Sequence, residues 1–276
     1  MSASQNASSP CSGAFPGTAL PDESFARAYE ALSGAERALL KLCIARLHAV
    51  YGEAPAFEAR TRRFAQGFGL QEDSSPADWA LVLCPALCPS PAALLAAVMP
   101  AVFAGLERLL VCFTPPASAP SAASPNAIAA PLLAALELAG IERAFFSSGQ
   151  ELRCWLAQQG HVPGGGRLLC LGQAEEHAPF VLDALAAGAD ALLLPTAPRY
   201  YSMRLDAACE QRFAGPREMP VADSPAFDNE DALQLALDAD HEDVWLWPGL
   251  SLDWFRRKKV KLYALSGAKG QGNGIF

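Results

Sequence analysis

The sequence predicts an α/β protein, a parallel sheet covered by helices on both faces and preceded by a helical segment. Short, dominantly apolar runs recur at 80–84, 109–113, 143–146, 167–171 and 191–194, as strands buried on both faces require. Stretches of helical length and spacing separate them. Pro, Gly and Ser punctuate most of the junctions, which marks turns between elements and not breaks within one.

Taken in order, residues 1–22 are rich in Ser, Ala, Pro and Gly and hold no Lys or Arg. They are expected to form a disordered leader and lack the basic and apolar regions of a secretory signal. N-terminal helices are expected over 23–70. Asp22 and Glu23 suit a helix start. Phe25, Tyr29 and Leu32, then Leu39, Leu40, Cys43, Ile44 and Leu47, recur at helical spacing across a break at Ser33-Gly34. A further helix is predicted over 55–66, ending before Gly67, and 71–75 reads as a polar spacer.

The α/β domain is expected over 77–198. Strand 80–84 leads through a turn at 85–89 to Ser90, an N-cap for a helix over 91–105 with Pro91 at its first position. Strand 109–113, a Ser/Ala/Pro loop at 117–125 and a helix over 126–138 follow. Strand 143–146, a turn at Gly149 and helix 150–158 come next. Gly164-Gly165-Gly166 opens strand 167–171, and helix 179–187 and strand 191–194 complete the alternation. Beyond these, a helix from 227 to 237, a strand at 244–247, a short helix over 251–257 and a strand at 260–265 are expected. Residues 199–265 form either a second small lobe or the far edge of the same sheet, and 266–276 a flexible Gly-rich tail.

The chain has 276 residues, a formal net charge of -8 and 18% charged residues. That balance argues against a partner made of nucleic acid, which demands a concentrated basic face. The dense basic run Arg256-Arg257-Lys258-Lys259 reads as a solvated helix end. The eight cysteines are scattered, most of them inside apolar runs, the pattern of reduced thiols in a cytoplasmic protein. Residues 79–106 carry no charge before Glu107 and are long enough to span a bilayer. Pro85, Pro89, Pro91 and Pro100 would break such a helix, so the stretch reads as strand, turn and buried helix, and no membrane partner is expected.

Leu81-Val82-Leu83-Cys84-Pro85-Ala86-Leu87-Cys88-Pro89-Ser90-Pro91, continued by Ala97-Val98-Met99-Pro100-Ala101-Val102-Phe103-Ala104-Gly105-Leu106-Glu107-Arg108, resembles histidinol dehydrogenase of the aldehyde-dehydrogenase-like superfamily. Leu138-Ala139-Gly140-Ile141-Glu142-Arg143 and Ser148-Gly149-Gln150 continue the similarity, as does Asp231-Ala232-Leu233-Gln234-Leu235-Ala236 further on. The resemblance implies a Rossmann-like sheet, a nicotinamide dinucleotide (NAD) and, in that family, a zinc ion held by a Gln-x-x-His helix, an Asp and a distant His, with a Glu-His acid/base pair. The departures fall on the chemistry. Gln173-Ala174-Glu175-Glu176-His177 has one residue too many, and His241-Glu242 reverses the pair. The remaining ligands would lie past the end of the present chain.

Candidate residues follow from both lines. Gln173 and His177 share a helix face, as two metal ligands must, but too few partners are evident and zinc is not expected. His241 and Glu242, with His177, are the candidate catalytic residues of an acid/base pair. Ser90, Gln150, Gly172 and Gln173 stand where helices begin after parallel strands, the place for an anion or cofactor. Cys84 and Cys88 lie in such a turn, where a helix start lowers a thiol pKa, and read as buried thiols. Arg199-Tyr200-Tyr201 could grip a carboxylate, or pack on the surface. The resulting expectation is a degenerate dehydrogenase-like protein that binds a small molecule or a partner. An NAD-dependent oxidoreductase with a rearranged site is the alternative. A third is a subunit that packs against a full-length relative, in a homo- or hetero-oligomer, through an exposed end of Trp245, Trp247, Trp254 and Phe255.

Overall fold

A computed structural model describes residues 17–86, 88, 90–115, 124–147, 149–158, 165–172, 174–194, 246–247 and 250–265. The apolar runs are strands. β4 (Trp79–Pro85), β5 (Leu109–Thr114), β6 (Ala144–Phe146), β7 (Gly166–Leu171) and β8 (Asp190–Leu194) form a parallel sheet. A two-residue β1 (Thr18–Ala19) pairs antiparallel to β6, and the strand order is β1-β6-β5-β4-β7-β8. The chain therefore leaves β4 toward β5 and β6, then returns past it to β7 and β8. That reversal is the strand order of a Rossmann-like sheet.

Each face takes its own cover because side chains alternate along a strand. Ala80, Val82 and Cys84 pack with α1 (Asp22–Ala31), α2 (Gly34–Tyr51), α3 (Pro91–Phe103) and α4 (Ala130–Leu138). Trp79, Leu81 and Leu83 face α5 (Gln150–Gln158) and α6 (Ala174–Ala186), where Leu152, Trp155 and Leu156 meet Leu110, Cys112, Leu168 and Cys170. The uncharged stretch resolves into β4, a turn and α3, nearly every residue of which is buried. No helix among the described residues is long and apolar enough to cross a membrane.

The helix caps follow the sequence. Ser33 caps α2 through a reciprocal box in which its hydroxyl accepts from the Glu36 N–H and the Glu36 carboxylate accepts from the Ser33 N–H. Ser90 caps α3, its Oγ accepting from the Ala93 N–H at 3.0 Å. Part of the helix expected over 126–138 is instead a 3-10 turn at Pro125–Ala127, ahead of α4.

Three expectations need correcting. The end of the supposed leader is ordered as β1, where the Leu20 N–H donates to Ala144 O and Gly17 takes a φ of 98° against the backbone of Phe146. The helix expected over 55–66 is strand β2 (Glu58–Phe64), and the 71–75 spacer lies within β3 (Phe68–Pro76). Their hairpin is closed by stacking of Phe64 on Phe68 at 4.5 Å. Pairing here overrides the helical preference of Glu, Ala and Arg. The basic run is no helix end. It starts β9 (Arg256–Ala264), which pairs antiparallel with β3 to give a second sheet of order β2-β3-β9, and only a 3-10 turn at Leu252–Phe255 stands where a helix over 251–257 was expected.

One buried arginine joins the two sheets and a second ties the antiparallel one together. Arg167, on β7, donates to the carbonyls of Trp254, Arg256 and Gly166 and pairs with Asp190 at 2.8 Å. Arg256 is only 4% exposed and donates to Ser74 Oγ, Ser74 O and Pro55 O. The aromatic end proposed as an interface is packed inside. Phe255 and Trp247 are buried, the Trp247 indole N–H donating to Ala93 O at 2.9 Å, and Trp254 is half-buried. Trp245 lies outside the described residues, as does all of 199–245.

Candidate functional site at the carboxyl edge of the parallel sheet

In an open α/β sheet a ligand sits beyond the carboxyl ends of the strands, at the point where strand order reverses. Here that point lies between β4 and β7. Three expected positions gather along this edge because each begins the segment after a parallel strand. Ser90 follows β4, Gln150 follows β6, and Gly172 follows β7.

After β4 the chain turns at once. The Ala86 N–H donates to Thr114 O and the Cys88 N–H donates to Pro85 O at 2.8 Å. Ser90 is buried, and its carbonyl accepts from the Leu94 N–H at 3.2 Å. Together with the Ala93 bond to Ser90 Oγ and the missing N–H of Pro91, only Ala92 keeps a free first-turn donor by this count. After β6, Ser147 is buried, its N–H donating to Phe113 O and its Oγ accepting from the Gly149 N–H. Gln150 is exposed, and Glu151 follows it in the first turn of α5.

After β7, Gly172 has a φ of 135°, a conformation that favours glycine, and its N–H donates to Leu194 O. His177 of α6 is 2% exposed and its Nε2–H donates to Leu171 O at 2.9 Å. A Cβ on Gly172 would lie 2.8 Å from that Nε2 and 3.4 Å from Pro85 Cγ. The imidazole is thus wedged at the reversal point, tying the end of β7 to the start of α6.

Among the described residues few groups at this edge are placed to receive a dinucleotide diphosphate. The first-turn amides of α3 are mostly consumed, and the described turns after β4, β6 and β7 carry no Lys or Arg. Glu151 sits in the first turn of α5, where a carboxylate competes with an anionic guest for the helix dipole. Among the described residues no group of three or more His, Cys, Asp or Glu side chains is gathered to hold a metal ion. Gln173, His241, Glu242 and Arg199-Tyr200-Tyr201 lie outside the described residues, so the Gln173/His177 and His177/His241 pairings are not placed. A groove of about 300 Å³ lined by Val102, Leu109, Gly140, Glu142 and Arg143 opens at the opposite, amino edge of the sheet, away from every candidate.

Burial governs the thiols. It pushes Cys112 and Cys170 up to about 12, helped at Cys112 by the Glu151 charge. Cys84 is raised well above the ordinary value by burial and by its hydrogen-bonded neighbour Cys88. Cys88 goes the other way, lowered first by the hydrogen bond from Cys84 and then, against burial, by the Ser90 backbone.

With this geometry in place, solved structures can be compared. Histidinol dehydrogenase from Elizabethkingia anophelis is similar over 67% of this chain and 41% of its own, at 14% identity and a TM-score of 0.50. The fold is dehydrogenase-like. Aldehyde dehydrogenase from Brucella melitensis biovar abortus 2308 (15% identity, 65% of this chain, 42% of that one, TM-score 0.37) and succinate-semialdehyde dehydrogenase from Burkholderia pseudomallei (15%, 58%, 30%, 0.37) are more distant. The chain spans less than half the length of these structures. No protein-family model and no curated protein matches the sequence.

Sequence reasoning placed the helix starts but passed over Ser147 and Arg167. The signal for Arg167 was present, a single charge within an otherwise apolar strand. Nothing in the local sequence around Ser147 sets it apart from an ordinary loop serine.

Proposed function

We propose that this chain keeps a dehydrogenase-like scaffold without intact dehydrogenase machinery and binds a small, neutral or cationic ligand at the carboxyl edge of its parallel sheet. One observation carries the reading. His177 packs beside Gly172 at the reversal point and bonds to the backbone at Leu171, while Glu151 stands in the first turn of the neighbouring α5. That favours a neutral or positive guest over a diphosphate. The alternative, an NAD-dependent oxidoreductase using His177, His241 and Glu242, is favoured by the strand order alone.

A thermal-shift titration separates the two. Metal-stripped protein is heated with NAD(H) or NADP(H), with and without zinc. A ligand at 100 times its dissociation constant adds about 2.7 kcal/mol to stability. The expected result is no shift with either dinucleotide, and a clear shift returns the oxidoreductase reading. The positive half is tested by adding neutral and amine-bearing fragments while following backbone amides by NMR. Hits should move Gly149 and Gly172. Hits that move only Gly140 and Arg143 at the opposite edge would overturn the placement.

A further inference from the structure

The last strand is paired along one edge only. β9 takes β3 as its neighbour and, among the described residues, no strand lies along its other side. The register runs unbroken from Phe68 opposite Ala264 to Pro76 opposite Arg256, so side chains alternate between the two faces. Lys259, Lys261 and Tyr263 share one face, and Tyr263 lies over Gly69, where a Cβ would collide with its ring. Lys258, Val260 and Leu262 share the other, all three exposed. The cations of β9 divide by partner. Arg256 is bound to Ser74 and Pro55, Arg257 pairs with Asp78 at 2.8 Å and Lys258 with Asp253 at 2.6 Å. Lys259 and Lys261 are exposed and have no ion pair among the described residues. Asp73, opposite Lys259, instead accepts from the Gln71 amide at 3.0 Å. Arg63 of β2 lies on the same face and is likewise exposed without an ion pair among the described residues.

We propose that the open edge of β9 binds an extended segment of another protein in which acidic and aliphatic residues alternate. Such a segment adds as a further strand, its backbone satisfying the N–H and C=O groups that β3 leaves facing outward. Its period of two sets carboxylates beside Lys259 and Lys261 on one face and aliphatic side chains against Val260 and Leu262 on the other. Opposite charges and apolar pairs both favour cross-strand neighbours. The lysines also select. They deter pairing with an ordinary apolar edge, and β9 laid against β9 of a second copy sets cation against cation. β2, the other open edge of this sheet, carries Arg60, Arg62 and Arg63 and offers a second copy no better match. The whole chain has a formal charge of -8, which opposes the approach of a long polyanion. A short acidic strand meets chiefly the charges beside it, because salt screens the more distant ones.

Synthetic peptides provide the test. The full chain is titrated into fluorescein-labelled Glu-Val-Glu-Val-Glu-Val-Glu while anisotropy is followed. Saturable binding that weakens as salt rises is expected, together with slower hydrogen exchange at the β9 amides that β3 leaves unpaired. Glu-Glu-Glu-Glu-Val-Val-Val, of the same composition, and Lys-Val-Lys-Val-Lys-Val-Lys should each bind about tenfold more weakly or worse. Lys259→Glu combined with Lys261→Glu should weaken the first peptide about tenfold, and Lys41→Glu, on α2, should leave it unchanged. Absence of binding would overturn the proposal, and so would equal binding of the block peptide, which would reduce the interaction to net charge. Protection gained at another strand and not at β9 would do the same. Tighter binding of single-stranded oligothymidylate than of the alternating peptide would make this a nucleic-acid surface instead. If the double variant does not fold, the comparison of peptides on the wild-type chain decides alone.

Discussion

The two sheets of this molecule are built on opposite terms. The parallel sheet is buried on both faces, and its central strands β4, β5 and β7 are shielded almost throughout. The sheet of β2, β3 and β9 is open. β2 is exposed along most of its length, and Val260 and Leu262 of β9 are 61% and 68% exposed. Apolar burial supplies the stability of the first. The second depends on backbone pairing, on Arg256, which holds β9 to Ser74 and Pro55, and on Arg167, whose guanidinium reaches Arg256 O across the junction. A strand can therefore be held in place by what lies at its end, with little packed on its faces.

The largest contrast is expected from one substitution in each sheet's surroundings. Leu94→Ala, in α3 at 0% exposure, should cost about 2–5 kcal/mol in urea unfolding. Leu262→Ala should stay within about 0.5 kcal/mol. Similar losses at both positions would mean that the exposed leucine is covered by something else in solution.

Legibility divides along the same line. β4, β5 and β7 announce themselves as apolar runs because burial on both faces dictates composition directly. Glu58-Ala59-Arg60-Thr61-Arg62-Arg63 does not, since an exposed strand needs no apolar residue and this composition suits a helix better. The pairing of β3 with β9 is equally hidden. Arg256 and Ser74 are 182 positions apart, and no local pattern reports such a contact. At the candidate site, Ser90, Gln150 and Gly172 were legible because the rule that ligands follow parallel strands is topological. That His177 would turn onto Leu171 O, and Cys88 Sγ onto Ser90 O, depends on turn geometry that spacing does not specify.

A smaller effect, about 1–3 kcal/mol, is expected from Arg167→Met, which strips donors from the carbonyls of Trp254 and Arg256. Hydrogen exchange should show protection falling in β3 and β9 while β4 and β5 keep theirs. Loss of protection throughout would show that the two sheets unfold as one unit.

The last effect appears only in alkali, and it acts on the body with the parallel sheet because β2, β3 and β9 contain no cysteine. Cys43 is raised by burial from 9.0 to about 11, and Cys112 and Cys170 from 9.0 to about 12. Above pH 9 the unfolded chain releases these protons while the folded chain retains them, so the unfolded state binds fewer protons and stability falls with pH. The contribution is complete below pH 9 and is lost as pH rises through 11 to 12. Urea midpoints measured at intervals from pH 8 upward should decline, and Cys112→Ser should reduce the slope by about 1.4 kcal/mol per pH unit. An unchanged slope would mean that Cys112 ionises as easily in the fold as outside it.

The pairing of β3 with β9 also sets a timetable. When a ribosome has delivered β2 and β3, the far edge of β3 has no neighbour and must wait while nearly two hundred further residues are added. Closing so long a loop comes late, and an open strand edge invites pairing with another chain in the interval. The hazard for this protein in a cell is therefore greatest before β9 emerges, and a holding chaperone that covered β3 would protect it more than one acting on the finished fold.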